Sequence, residues 1–348
     1  MTFDPTVQRI GFACKYMHDD QSLKPKILKE IQYSYTEAMT TVAWLKRQTT
    51  EVAEQKMWDI MQHNIQSCNN LIGYVGSLPK ELRMVRLGSN QLPMYTEPTF
   101  KYYWQNPDVR KVCAEGYGRA GKLARELDVR LSMHPGQFCV LASDNEDIVN
   151  RSIEEFEYHA DIIRWMGYGK NWQDFKCNVH ISGRQGPAGI KNALKRLSPE
   201  ARNCITIEND ENKWGIEDSL ELEKDVALVL DIHHHWCRDG EYIQPTDDRF
   251  KRIVDSWRGQ RPAMHFSYSR DEHLPADFDH ATKPDMQTLL DAGYKKGKLR
   301  AHSDYCNNPA VNEWALSFSP YADIMVEAKM KNLASRQLYE QKNDRRAA

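Results

Sequence analysis

The chain has 348 residues, with 47 Lys and Arg against 49 Asp and Glu, so its net charge of −2 gives no bulk attraction for nucleic acid. A phosphate-rich partner would have to be met by a local basic surface or by metal ions. Hydrophobic content of 41% and charged content of 28% describe a globular chain with a real core, and no apolar run is long enough for a membrane span.

The amino terminus, Met-Thr-Phe-Asp-Pro-Thr, has no apolar signal region. None of the 8 cysteines lies three residues from another, which excludes zinc-knuckle and thioredoxin-like spacings. Cys177 and Cys204 sit in or beside apolar strands and read as reduced, buried thiols.

Arg9–Cys14 reads as a first strand. Apolar spacing from Ile27 to Val42 predicts a helix over Lys26–Lys46, as an insertion before the next one. Met57, Met61, Ile65, Cys68, Ile72 and Val75 trace a long helical stripe ending at Gly76. Met84–Gly88 is a second strand, and Asn106-Pro107 opens a helix. The third strand, from Arg130, stops at His134-Pro135-Gly136, because the proline removes a ladder donor and the glycine allows a sharp turn. A helix ending at Gly167 precedes a fourth strand, Cys177–Ile181. Strand five is Cys204–Ile207, strand six Val226–Leu230, strand seven Ala263–Phe266 and strand eight Asp323–Val326. A long polar loop spans 267–301, with a helix at Asp285–Tyr294, and the charged tail Lys331–Ala348 reads as a helix that frays. Eight strands alternating with helices and no linker predict one α/β domain over 1–348. The expected architecture is a (β/α)8 TIM barrel with an inserted helix near 26–47 and a long loop near 267–301.

In such a barrel every strand's carboxyl end faces one rim, where active sites sit. The residues at those ends are His134, His180, Glu208, Asp231, His234, His265 and Glu327. Each has a bland reading alone: a turn histidine, a hydrogen-bonded core histidine, a helix cap. Together, at one structural position on separate strands, they would be costly to bury unpaired. Imidazole with carboxylate suits zinc, manganese or iron, and a cluster of ions suits phosphodiester cleavage.

At these residues the chain resembles the ultraviolet damage endonuclease family. The resemblance runs from about Arg9 to Lys331. It rests on Ser132-Met133-His134-Pro135-Gly136-Gln137-Phe138, Val179-His180-Ile181, Ile207-Glu208-Asn209-Asp210, Asp231-Ile232-His233-His234, Met264-His265-Phe266, Ala301-His302-Ser303-Asp304 and Met325-Val326-Glu327-Ala328-Lys329, in that order. It implies a TIM barrel related to abasic-site endonucleases of the endonuclease-four type. It also implies nicking of duplex DNA on the 5′ side of cyclobutane pyrimidine dimers, 6-4 photoproducts and some abasic sites. Two or three divalent ions are implied, manganese foremost and zinc or magnesium as alternatives. Two ions would take His134, His180, Glu208, Asp231, His265 and Glu327, with Glu208 as the bridge, and a third would take His234 and His302. Glu208, Glu327 and His265 are the expected catalytic set. Gln137 and Phe138 would probe the duplex opposite the lesion, and Phe12 would join the DNA surface where many members carry tyrosine.

One departure is Ala263, where family members often carry a lysine near the metals. Competing readings are an abasic-site endonuclease without photoproduct preference, a divalent-metal sugar isomerase on the same fold, and a non-enzymatic metal-binding protein. No membrane or protein partner is expected. Localisation would be cytoplasmic with the nucleoid in a bacterium or virus, and nuclear in a eukaryote.

Overall fold

The computed structural model describes residues 2–136 and 138–347. Its eight strands are β1 (Ile10–Ala13), β2 (Met84–Arg86), β3 (Arg130–Met133), β4 (Lys176–His180), β5 (Ile205–Glu208), β6 (Ala227–Val229), β7 (Ala263–Phe266) and β8 (Asp323–Val326). All pair in parallel, in the order β6-β5-β4-β3-β2-β1-β8-β7. The ring closes between β6 and β7 just past the strand ends, through a bridge of Asp231 to His265 and a hydrogen bond from His265 N–H to the Leu230 carbonyl at 2.9 Å. This is a (β/α)8 TIM barrel, nearly closed, with its last seam at two of the expected metal ligands.

Both faces of each strand are buried, as parallel strands require. One set of alternate residues, including Phe12, Val85, Leu131, Val179, Ile207 and Phe266, joins the main apolar core with the helices. The other set points into the barrel, where Ala13, Met84 and Met325 pack together. Gly11 is needed there, because a Cβ would sit 2.5 Å from the Met84 carbonyl oxygen. The amino-terminal end of the barrel is closed by ions. Asp323 accepts from Arg130 at 2.7 Å and from Arg261 at 2.6 Å.

The helices follow local signals. Thr49 caps Thr50–Ser77, Asn106 caps Pro107–Glu126 with proline in the first turn, and Asn145 caps Glu146–Trp165. The expected single helix over Lys26–Lys46 is instead two, Pro25–Tyr33 and Val42–Leu45, separated by a turn. The break has a tertiary cause. Glu37 accepts from the Asn90 N–H at 2.9 Å and from the Gln91 amide, which ties the turn to the loop after β2. Gly88 leaves the space, since a Cβ would meet the Glu37 carboxylate at 2.4 Å. The tail is the expected final helix, Lys331–Ala347, and it packs on β1 with Ala334 and Leu338 buried. In the 267–301 segment the helix is shorter than expected, Met286–Asp291, with another at Lys296–Leu299. No helix among the described residues is long and apolar enough to cross a membrane.

Burial pushes the Glu37 carboxyl up to about 7, above the pull of its two donors. An acid with a raised folded pKa contributes stability that is present at low pH and is lost as pH rises from its unfolded value towards 7. Glu37→Gln removes that titration. Its stability relative to the unsubstituted chain should therefore improve between about pH 5 and about pH 8, by up to about 3 kcal/mol in urea denaturation. A difference that does not change with pH would show that the carboxyl titrates normally.

Candidate metal centre

The strand ends and the segments that follow them bring the eight expected ligands to one rim. Glu208, 1% exposed at the end of β5, is the centre. It accepts from the Nδ1–H of His265 at 2.9 Å and from the Asn178 amide. His134 Nε2 lies 3.6 Å from its carboxylate, His180 Nδ1 3.9 Å and His234 Nδ1 3.5 Å. Two triads, His134–His180–Glu208 and Glu208–Asp231–His265, each offer ligand atoms within 4.8 Å of one another, and Glu208 belongs to both. Glu327 adds a carboxylate oxygen 3.3 Å from His265 Nδ1. His302 Nδ1 donates to the Glu327 carbonyl at 3.0 Å. His280, in the 267–301 segment, packs against Tyr268 and Phe278.

The imidazoles are oriented as ligands should be. His134 donates its Nδ1–H to the Pro135 carbonyl at 2.7 Å, His234 to the Asn209 carbonyl at 3.1 Å, and His302 to that of Glu327. Each of these three rings thus spends Nδ1 on the backbone and presents Nε2, the second-sphere pattern of metal-ligating histidine.

The electrostatics agree with this. Burial pushes His134 down to about 4, so its ring is neutral near pH 7. Burial raises Asp231 to about 7, and its Oδ2 is buried without a hydrogen-bond partner. Burial alone would also raise Glu208, but His265 and His180 outweigh it and hold the carboxyl well below the usual range. Burial would lower His234, but Asp231 and Glu208 reverse this and raise it to about 9. The cluster keeps protons where cationic charge is wanted. The orphaned Asp231 oxygen and the neutral His134 belong to a donor set that fits divalent cations, and an ion bound there would displace the His234 proton.

Three neighbours were not legible as site residues. Lys176, 3% exposed on β4, places Nζ 2.5 Å from His265 Nε2. The hydrogen on that ring therefore sits on Nδ1, facing Glu208. Burial lowers the Lys176 ammonium to about 7. Asn178 holds Glu208, and Arg86 on β2 pairs with Glu327. The signal available was alternation. Lys176, Asn178 and His180 share one face of β4, so naming His180 a rim ligand points its two predecessors into the barrel. The Ala263 position lies in a small apolar cluster with Ala227, Val229 and Trp257, and the lysine that reaches the β7 histidine comes from β4.

The expected DNA-contacting residues divide. Phe138 is 85% exposed on the turn after His134. Gln137 lies outside the described residues. Phe12 is 1% exposed in the main apolar core. This corrects its expected place at the DNA surface: on β1 its neighbours Gly11 and Ala13 face the barrel interior, so Phe12 faces the helices.

The UV-endonuclease family model, UvdE, matches residues 8–346. A UV DNA damage endonuclease of Bacillus mycoides (strain KBAB4) is 23% identical over 317 residues, 88% of each chain. A UV-damage endonuclease of Neurospora crassa is 29% identical over 225 residues, 60% of this chain and 34% of that one. Among solved structures, SacUVDE superposes with a TM-score of 0.69 at 21% identity, covering 96% of this chain and 98% of its own. That likeness shows the shared fold. With the family model spanning nearly every residue, the chain belongs to the UV-endonuclease family and is a DNA-repair endonuclease of UV damage.

Proposed function

We propose that this enzyme nicks duplex DNA on the 5′ side of cyclobutane pyrimidine dimers and 6-4 photoproducts, and at abasic sites, with two or three divalent ions. The observation that carries the reading is the pair of ligand triads sharing Glu208. One ion would lie between His134, His180 and Glu208, and a second between Glu208, Asp231, His265 and Glu327, displacing the His265 Nδ1 proton as it binds. His234 and His302 are the ligands left for a third. A mixed imidazole and carboxylate set suits manganese, with zinc or magnesium as alternatives. When bound, such ions supply charge to a phosphate and lower the pKa of water beside it.

The chain's own residues hold that arrangement in place. Lys176 occupies the far nitrogen of His265 and turns Nδ1 to the carboxylates. Arg86 pairs with Glu327 and keeps it ionised against burial. Asn178 fixes one oxygen of Glu208. The Ser89 hydroxyl donates to the His134 carbonyl at 2.6 Å and anchors the turn that carries Phe138. A photolesion weakens stacking, so opening the duplex there is less costly than at intact DNA. Phe138 is the exposed ring placed to enter the opened step, and the Gln137 beside it is assigned the same role from its motif.

Manganese added to chelator-stripped protein should raise its Tm, with stabilisation of about 2.7 kcal/mol at a hundredfold excess over Kd. No shift with manganese, zinc or magnesium would remove the metal reading. Glu208→Ala should keep the fold, and its nicking of irradiated plasmid should fall by at least about 100-fold. Mapping the product ends on a single-dimer duplex tests the polarity, and cuts on the 3′ side alone would refute it. Phe138→Ala should weaken binding to lesion-bearing duplex by about 1–3 kcal/mol at fixed salt and affect intact duplex much less. Equal losses on both would make the turn a backbone contact only.

A further inference from the structure

One buried imidazole near the His134 turn takes no part in the candidate metal centre. His159, on the helix Glu146–Trp165, is fully buried. Its Nδ1 lies 2.7 Å from the Glu155 carbonyl, which can only accept, so Nδ1 carries the hydrogen. Its Nε2 is thereby turned to the Ser89 hydroxyl, 2.9 Å away. Burial draws the ring's pKa below the ordinary imidazole value, so near pH 7 the ring is neutral and Nε2 is an acceptor.

The one hydroxyl proton of Ser89 therefore lies between two acceptors, this ring and the His134 carbonyl at 2.6 Å. A hydroxyl held from both sides cannot change rotamer without losing both contacts. The backbone of Ser89 is held as well. Tyr158 donates to its carbonyl at 3.0 Å and accepts from the Leu92 N–H at 2.9 Å. Both contacts leave the helix for the loop after β2, 69 and 70 residues away in the chain. Two consecutive helix residues thus grip one serine, by its backbone and by its side chain. Ser89 and Tyr158 also border an apolar cavity of about 820 Å³ beside the turn, lined by Leu92, Met94 and Val140 and by the inserted segment at Met39.

We propose that His159 is a positioning residue for cleavage, which acts through Ser89 to keep His134 Nε2 aimed at its ion. The proposal rests on the metal reading above and adds the residues that aim one ligand. A peptide plane transmits the grip. Ser89 fixes the His134 carbonyl, and the proline ring locks the next φ, so any turn of the His134–Pro135 peptide carries the Pro135 carbonyl with it. That carbonyl is the acceptor for the His134 Nδ1–H at 2.7 Å. The direction of His134 Nε2 towards Glu208, 3.6 Å away, therefore depends on Ser89, and the seat of Ser89 depends on His159.

The test is calorimetric titration of chelator-stripped protein with manganese. Two conservative variants separate the ring nitrogens: an asparagine amide stands where Nδ1 does and falls short of Ser89, whereas a glutamine amide stands where Nε2 does and reaches it. Ser89→Ala and His159→Asn should each weaken one manganese-binding step at least about tenfold, the scale of losing a contact that supports a ligand. His159→Gln should stay within about twofold of the unsubstituted chain. Combining Ser89→Ala with His159→Asn should cost no more than either alone, because both act through one contact. Ser89→Ala deletes only an oxygen and carries the test if His159→Asn does not fold. Glutamine as weak as asparagine, additive losses, or a lowered Tm with manganese affinity unchanged in Ser89→Ala would show that the ring only packs, and would overturn the proposal. If the unsubstituted chain takes up no manganese, zinc or magnesium, the metal reading fails first and the proposal falls with it.

Discussion

The structure is organised around one buried carboxylate. Glu208 has no access to bulk water and can stay ionised only because four histidines face it and an amide donates to it. Burying an unpaired carboxylate would be prohibitive, so the strands that supply these partners must arrive in one register. His180 pairs directly with Glu208 across β4 and β5, and His265 reaches it across the barrel from the seam at Asp231. Barrel closure and ligand geometry are therefore one constraint.

The interior also carries its own cations. Arg86 and Lys176 stand next to Glu327 and His265, against the three carboxylates Glu208, Asp231 and Glu327. With the raised His234, these cations offset the three carboxylates, which lets the barrel close around the cluster. Each cation fixes one atom of its neighbour, Arg86 a carboxylate oxygen of Glu327 and Lys176 the Nε2 of His265, whose Nδ1 then faces Glu208. Preorganisation of this kind sets ligand orientation without consuming the site. At the opposite end Arg130, Arg261 and Asp323 form a separate ionic plug, so the two ends of the barrel have different tasks.

The elements proposed for recognition stand on one side of the rim. The Ser89 hydroxyl joins the loop after β2 to the His134 turn, and Glu37 joins that same loop to the inserted segment. A ligand histidine, an exposed aromatic ring and an apolar cavity are thereby mounted on one loop system. A change in the inserted segment would be felt at the cavity wall before it reached the candidate metal ligands.

Much of this was legible in the sequence, because its grammar is local. A short apolar run, then a polar residue, then a turn marks a strand end, and in an eight-stranded alternating pattern all strand ends share a rim. His134 before Pro135-Gly136 and Glu208 before Asn209-Asp210 could be placed on those grounds alone. Tertiary structure decided what local pattern cannot. Parallel strands are apolar on both faces, so periodicity does not say which face is inward: Phe12 went to the helices, and Lys176 went to the barrel interior. The helix expected through Lys26–Lys46 was broken by contacts of Glu37 with Asn90 and Gln91, 53 and 54 residues away in the chain. Lys176 became a neighbour of His265 across 89 residues, a proximity created only by closing the barrel.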